Sequence, residues 1–379
     1  MIVKDKFLLS PNVTFLNHGS YGACPQTVFE KYQHWQKELE RQPVQFMAED
    51  VYTHLKTARG SLGEFVGCES DDLFFVPNPT TAGNTVINSL DLKPGDEILT
   101  TDHEYGALIR AWEAYCTMSG TRLIQHDIPL PVTTHDKFTE HFWDGVTDRT
   151  KVIFISQVTS PTALIFPVHE ICQRARERDI LTIVDGAHVP GQIPLNISEI
   201  DPDVYIAACH KWLCAPKGSS FLYVRKSFQI KVKPLVVSWG SEGTDPSGSP
   251  FLLENQWQGT RDMSAFLTVP EAIAFQQKNN WDKLTVRCRH LVRETRERLD
   301  EYFTLNHLCP NTEEWLGQMA SVELPIEEPE KLKNALMKEY SIEVPVLLWK
   351  DKTFLRYSFN VYSSQQDADL LVYALRKLV

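Results

Sequence analysis

Two kinds of hydrophobic pattern alternate along the chain between residues 73 and 225. Short runs that are apolar on consecutive positions are separated by longer stretches in which apolar residues recur every three or four positions. Consecutive apolar positions suit strands buried on both faces, and KVIFIS and ILTIVD are the clearest examples. The pattern predicts strands at 73–76, 97–100, 122–125, 152–156, 181–184, 204–207 and 220–224. Segment 168–178 gathers Val168, Ile171, Cys172 and Ala175 on one helical face. Such alternation predicts an α/β fold with a mainly parallel seven-stranded sheet sandwiched by helices.

The character changes past residue 225. Residues 238–262 are rich in Gly, Ser and Pro and read as a long irregular excursion. Loops of that length in a compact protein usually carry function. Two helices follow, at 263–279 and 281–304. The remainder reads strand (318–324), helix (328–340), two strands (342–348, 353–358) and helix (365–378), a small C-terminal α/β domain. The expected division is an N-terminal segment (1–30) lining the active site, a large domain (31–280) and a small domain (281–379).

Composition narrows the function classes. Acidic side chains outnumber basic ones 49 to 38, a net charge of −11, which argues against nucleic acid or an anionic membrane as partner. No apolar run approaches the roughly 20 residues that cross a bilayer, and the N-terminus lacks a signal-peptide core. A cytoplasmic location is expected. The eight cysteines include no C-x-x-C pair and read as free thiols of a reducing compartment.

Chemistry concentrates in residues 181–211. Asp185 closes a buried strand, and the chain returns through a second strand that ends at His210 and Lys211. Consecutive strand ends can bring Asp185, His188, His210 and Lys211 to one sheet edge, where open parallel sheets place ligands. A metal site would use the acid and the histidines but has little use for an adjacent lysine. A partly desolvated lysine is instead a nucleophile for aldehydes, and a carboxylate opposite it can hold a protonated pyridine nitrogen. These are the two anchors of pyridoxal phosphate: Lys211 as Schiff base, Asp185 as pyridinium partner. The loop VPNPTTAGN, entering a helix, offers Thr80 and Thr81 to a phosphate; an ordinary helix cap is the alternative. Tyr105, after the strand EILT, is a candidate ring to stack on the pyridine, or else a packing residue.

With these residues in place, the whole chain resembles the aminotransferase class V branch of the fold-type-I pyridoxal-phosphate enzymes, and within it the isopenicillin N epimerase-like group. The resemblance rests on LNHGSYG (16–22), PNPTTAGN (77–84), DHEYGA (102–107), SQVTSPTALIFPV (156–168), VDGAH (184–188), HKWLCAPKG (210–218), WQGTRD (257–262) and FLRYSFNVYSS (354–364). It implies pyridoxal 5'-phosphate held by Lys211, with Asp185 on the pyridine nitrogen and Tyr105 in the stacking slot. It implies His188 at the phenolic oxygen, and Thr80, Thr81 and His210 at the phosphate. Arg356 matches the clamp for the α-carboxylate of an amino-acid substrate, and Asn17 and His18 belong to the segment lining the substrate side. Thr260 matches a residue contributed from a neighbouring subunit, which implies a homodimer with shared active sites.

Departures from the family pattern sharpen the expectation. Ala208 stands where many relatives have a hydroxyl ligand for phosphate, and Ser160 fills a slot that is Asn in desulfurases. Desulfurases carry a nucleophilic Cys shortly before the carboxylate-binding Arg, but residues 340–355 contain none, so persulfide-forming chemistry is not expected. The resemblance favours an epimerase-like reaction at Cα, with aminotransferase and C–S lyase chemistry as alternatives. A two-base epimerase needs a second acid opposite Lys211, for which His18, Tyr105 and Cys24 are candidates. Trp239 and Trp257 are candidates for walls of the substrate pocket.

Overall fold

The computed structural model describes residues 4–242 and 248–379; residues 243–247 of the irregular excursion lie outside the described residues. The seven expected strands all form, as β1 (Leu73–Val76), β2 (Glu97–Thr101), β3 (Arg122–His126), β4 (Thr150–Ser156), β5 (Leu181–Asp185), β6 (Val204–Ala208) and β7 (Ser220–Val224). They make one sheet in the order β1-β7-β6-β5-β4-β2-β3, in which only β7 runs antiparallel to its neighbours. Why the strands are apolar on consecutive positions is plain from the packing. Ile153, Ile155, Val184, Tyr205 and Ala207 enter one hydrophobic core, while Val152, Phe154, Ile183, Val204 and Ile206 enter another across the sheet. These central strands, β4, β5 and β6, are buried on both faces.

Helix 168–178 forms as Val168–Arg176. The helix expected at 263–279 is broken into Ser264–Leu267 and Val269–Lys278, because Pro270 has no N–H to continue the first segment. After Asn280, held at φ 50°, the long helix runs from Trp281 to Phe303.

The C-terminal part contains an antiparallel sheet ordered β9-β10-β8, from β8 (Met319–Leu324), β9 (Val346–Trp349) and β10 (Lys352–Ser358), with helices Pro329–Tyr340 and Gln365–Leu378. The single strand expected at 342–348 is two pieces, since Pro345 cannot donate to a ladder. Its first piece, Ile342–Glu343, pairs in parallel with Thr14–Phe15, tying the N-terminal segment to this sheet.

The β9–β10 hairpin turns through Lys350 and Asp351, both at positive φ as a two-residue turn requires. Its tip docks on the ends of β2 and β3. Trp349 donates to the Asp102 carbonyl at 3.1 Å, and Lys350 ion-pairs with Asp102 and Asp127. That docking holds β10, and Arg356 on it, over the large sheet. Among the described residues, no helix is long and apolar enough to cross a membrane.

Candidate active site

Three adjacent parallel strands, β4, β5 and β6, end side by side, with Ser156 in register with Asp185 and Asp185 with Ile206. The residues that follow these ends converge on one pocket of about 390 Å³. A larger cavity of about 740 Å³ opens at the opposite edge, where Asp96, Lys151, Leu181 and Asp203 mark the beginnings of strands. Its lining mixes acids and bases without a common focus, and parallel sheets bind ligands at the carboxyl ends of their strands. The smaller pocket is therefore the candidate active site.

Lys211 and Asp185 both line it. Burial pushes the Lys211 amine down to about 8; Asp185 opposes that shift, and Arg356 adds to it. Burial also raises the Asp185 carboxyl, against the Ala187 N–H that donates to it at 2.8 Å and the charge of Lys211. His188 Nε2 sits 3.2 Å from Lys211 Nζ. Burial first, then the cations Lys211 and Arg356, holds the His188 imidazole well below its usual value, so it is neutral.

Arg356 enters the pocket from β10. Its guanidinium donates to the Ser160 carbonyl (2.6 Å), to Ser160 Oγ (3.3 Å) and to Ser20 Oγ (3.0 Å), and Ser20 in turn donates to Asn17. Among the described residues this buried cation has no ion pair. A buried guanidinium without a counter-charge is costly unless an anion is its ligand.

Of the residues expected from the sequence, Thr80, Tyr105, Ser160, Asp185, His188, His210, Lys211 and Arg356 come together around the pocket. Four do not. Thr81 gives its N–H and hydroxyl to the Asn78 cap (2.8 and 3.1 Å), leaving Thr80 as the threonine that lines the pocket. Thr260 is exposed and outside the pocket. His18 is fully buried away from the lining, within hydrogen-bonding distance of Tyr362 Oη, the Lys211 carbonyl and Asn360 Nδ2, and burial lowers it to about 3. Asn17 lies behind Ser20. The N-terminal segment reaches the pocket through Gly19, Ser20 and Tyr21 instead.

The auxiliary candidates also fall outside. Burial raises the Cys24 thiol to about 12, Trp239 is exposed, Trp257 packs near Tyr52, and none lines the pocket. No cysteine lines it at all, and Cys309 is buried beside Arg296. No group of three or more His, Cys, Asp or Glu among the described residues is arranged to hold a metal ion.

Sequence reasoning missed Glu104 and Trp212. Glu104 is buried, accepting from Thr101 Oγ1 (2.7 Å), the Ser156 N–H (3.2 Å) and Ser156 Oγ, and burial raises it to about 7. Trp212 donates from its indole to His188.

The sequence profile described as "Aminotransferase class-V" matches residues 22–371. The chain belongs to the class V aminotransferase family. Isopenicillin N epimerase of Streptomyces clavuligerus is 33% identical, over 99% of this chain and 97% of that protein. A probable chloroplastic L-cysteine desulfhydrase of Arabidopsis thaliana is 28% identical, over 97% of this chain and 83% of its own. Among solved structures, the cysteine desulfurase of Thermococcus onnurineus NA1 superimposes with a TM-score of 0.84 at 20% identity, covering 100% of this chain and 98% of that one. A mutant of the C–S lyase C-DES, with glycine covalently linked to its PLP cofactor, gives a TM-score of 0.85 at 19% identity and 99% coverage of both chains.

The fold is that of the fold-type-I pyridoxal-phosphate enzymes, and this class V protein is an enzyme whose cofactor is pyridoxal 5'-phosphate. The pocket suits that group. It sets a poised lysine and a buried carboxylate within one lining, with a tyrosine ring at its mouth and a helix N-terminus, Asn78 to Thr80, along its wall.

Proposed function

We propose that this enzyme moves the Cα proton of an amino acid and returns it with inversion, as an epimerase, with Lys211 as the base. The observation that carries the reading is the buried pairing of Lys211 with His188 opposite an unpaired Arg356 in one pocket. Bound pyridoxal phosphate supplies the electron sink that makes such a proton removable. Lys211, depressed to about 8, gives up its proton more easily than an ordinary lysine, so its amine would hold the cofactor's aldehyde carbon and would serve as the base for the substrate proton. Asp185 would hold the pyridine nitrogen and keep a proton on it. Thr80 and His210 would hold the phosphate, Tyr105 would lie against the ring, and His188 would face the phenolic oxygen. Arg356 grips the substrate α-carboxylate while Ser20 and Ser160 hold the guanidinium in orientation.

We assign the active site to a cleft between a large domain ending near residue 280 and a small one after it, in a homodimer of the cytoplasm. Thr260 then serves the partner's pocket. Its exposure supports this, as do the exposed Leu235, Val236, Val237 and Trp239 that precede it. Eight free cysteines suit a reducing compartment.

One observation favours a second reading, a C–S lyase. His18 and Cys24 are out of reach, so tyrosines are the remaining candidates for a second base, and β-elimination needs only the first. Incubating the holoenzyme with amino acids in deuterated water separates the outcomes. Deuterium at Cα with inversion means epimerisation, a keto acid with transfer of the amino group means transamination, and pyruvate with sulfide means lyase chemistry. Absence of both deuterium uptake and product from every amino acid sinks the assignment.

A further inference from the structure

Trp212 follows the lysine directly and is almost fully buried. Its Nε1–H lies 3.3 Å from His188 Nδ1, whose other nitrogen faces Lys211 Nζ at 3.2 Å. An indole nitrogen only donates, so His188 Nδ1 must accept and carries no proton. The single proton of the neutral ring therefore sits on Nε2. We propose that Trp212 is a positioning residue that locks His188 in its Nε2–H tautomer and so makes His188 a hydrogen-bond donor to Lys211.

The consequence falls on the lysine. An ammonium has no lone pair with which to meet a donor, so an Nε2–H at this distance favours the neutral amine. The other groups that face Lys211 are Asp185, which favours its charge, and Arg356 and His210; burial holds His210 near 4, uncharged. The indole is held in place from two sides. The His18 ring packs against it at 4.8 Å between centroids, and Gln276 Nε2 donates to the Trp212 carbonyl at 2.9 Å. His188 is itself fixed by Gln192, which donates to its carbonyl at 2.5 Å. The network explains why a buried tryptophan stands beside the lysine: the site needs an N–H at that point, and phenylalanine would fill much of the space without supplying one.

The test uses the apoprotein, so it is independent of any reaction assigned to the enzyme. Nitrogen NMR of histidine-labelled protein reads the tautomer directly, with the His188 signals identified by their loss in His188→Gln. The expected result is an unprotonated Nδ1 and a protonated Nε2. In Trp212→Phe, and with benzothienylalanine at 212 to keep the bicyclic volume without the N–H, the two signals should move toward a tautomer average. Acylation of Lys211 by acetic anhydride at neutral pH should slow roughly fivefold, the worth of one hydrogen bond. If Trp212→Phe does not fold, the benzothienyl protein carries the test. A protonated Nδ1 in the native protein overturns the proposal, as do unchanged signals and unchanged acylation in the benzothienyl protein. An intact tautomer in an enzyme that shows no turnover would instead remove the proposed reaction.

Discussion

Replacing Lys211 by methionine is expected to make the apoprotein more stable at pH 7, although it removes the amine proposed as the base. Burial brings this lysine from its ordinary 10.5 to about 8, so its charged form is disfavoured inside the fold by up to about 3 kcal/mol. Below pH 8 both the folded and the unfolded chain hold the proton, and that cost is present in full. Between about 8 and 10.5 the folded chain has released a proton that the unfolded chain keeps, so stability rises with pH through this window. Methionine matches the length of the lysine stem and carries no charge, so the variant avoids the cost at every pH. Its effect on Asp185 is small, because Lys211 is the least of the influences on that carboxyl, behind burial and the Ala187 N–H. Urea denaturation of both apoproteins at pH 7 and pH 10 checks the argument. The variant should lead at pH 7 and the gap should close toward pH 10. A variant that is less stable at pH 7, or a gap that widens with pH, would show that the pocket does not strain the lysine's charge. The outcome also bears on the proposed function, because the same strain would keep the amine available as a nucleophile and base.

Three further substitutions probe the site's other parts. Each charge-assisted hydrogen bond to a carboxylate is worth about 1.5 kcal/mol or more, so Arg356→Gln should weaken amino-acid binding by ~100-fold in a spectroscopic titration. A change of a few-fold would remove Arg356 as the carboxylate's partner. Glu104 is raised to about 7 from 4.5, so the folded chain holds a proton there that the unfolded chain loses, and stability falls as pH climbs through that window. Glu104→Gln should therefore match the native protein at pH 5 and exceed it at pH 8 in urea midpoint; the reverse order contradicts the assignment. Gly22 has φ 69°, and a Cβ there would collide with the His210 carbonyl oxygen and stand 2.9 Å from Lys211 Cα. Gly22→Ala should cost at least about 1–3 kcal/mol from backbone strain alone and weaken cofactor binding, read by thermal melting and absorbance; unimpaired binding would show that this contact does not position Lys211.

What the sequence made legible, and what it hid, follows from the range of the forces involved. Burial on two faces stamps consecutive apolar residues on every central strand, so the seven strands and the edge where Asp185, His188, His210 and Lys211 meet are legible in the chain alone. Interruptions needed more context: Pro270 and Pro345 sit within otherwise favourable patterns, and only the missing N–H divides the element. Least legible was the choice between neighbours in one motif. Within the Asn17–Tyr21 stretch, helical turning sends His18 into the core and Ser20 toward Arg356; in the Thr80–Thr81 pair, the Asn78 cap claims one and leaves the other to the pocket. Spacing along the chain is identical for either choice, so only side-chain direction separates them. Trp212 was hidden for a related reason. A buried aromatic beside a reactive lysine reads as packing, and its chemical contribution rests on one N–H whose partner is twenty-four residues away. The residues that tune a site are therefore harder to see than those that form it, because tuning acts through single hydrogen bonds that leave no periodic trace in the chain.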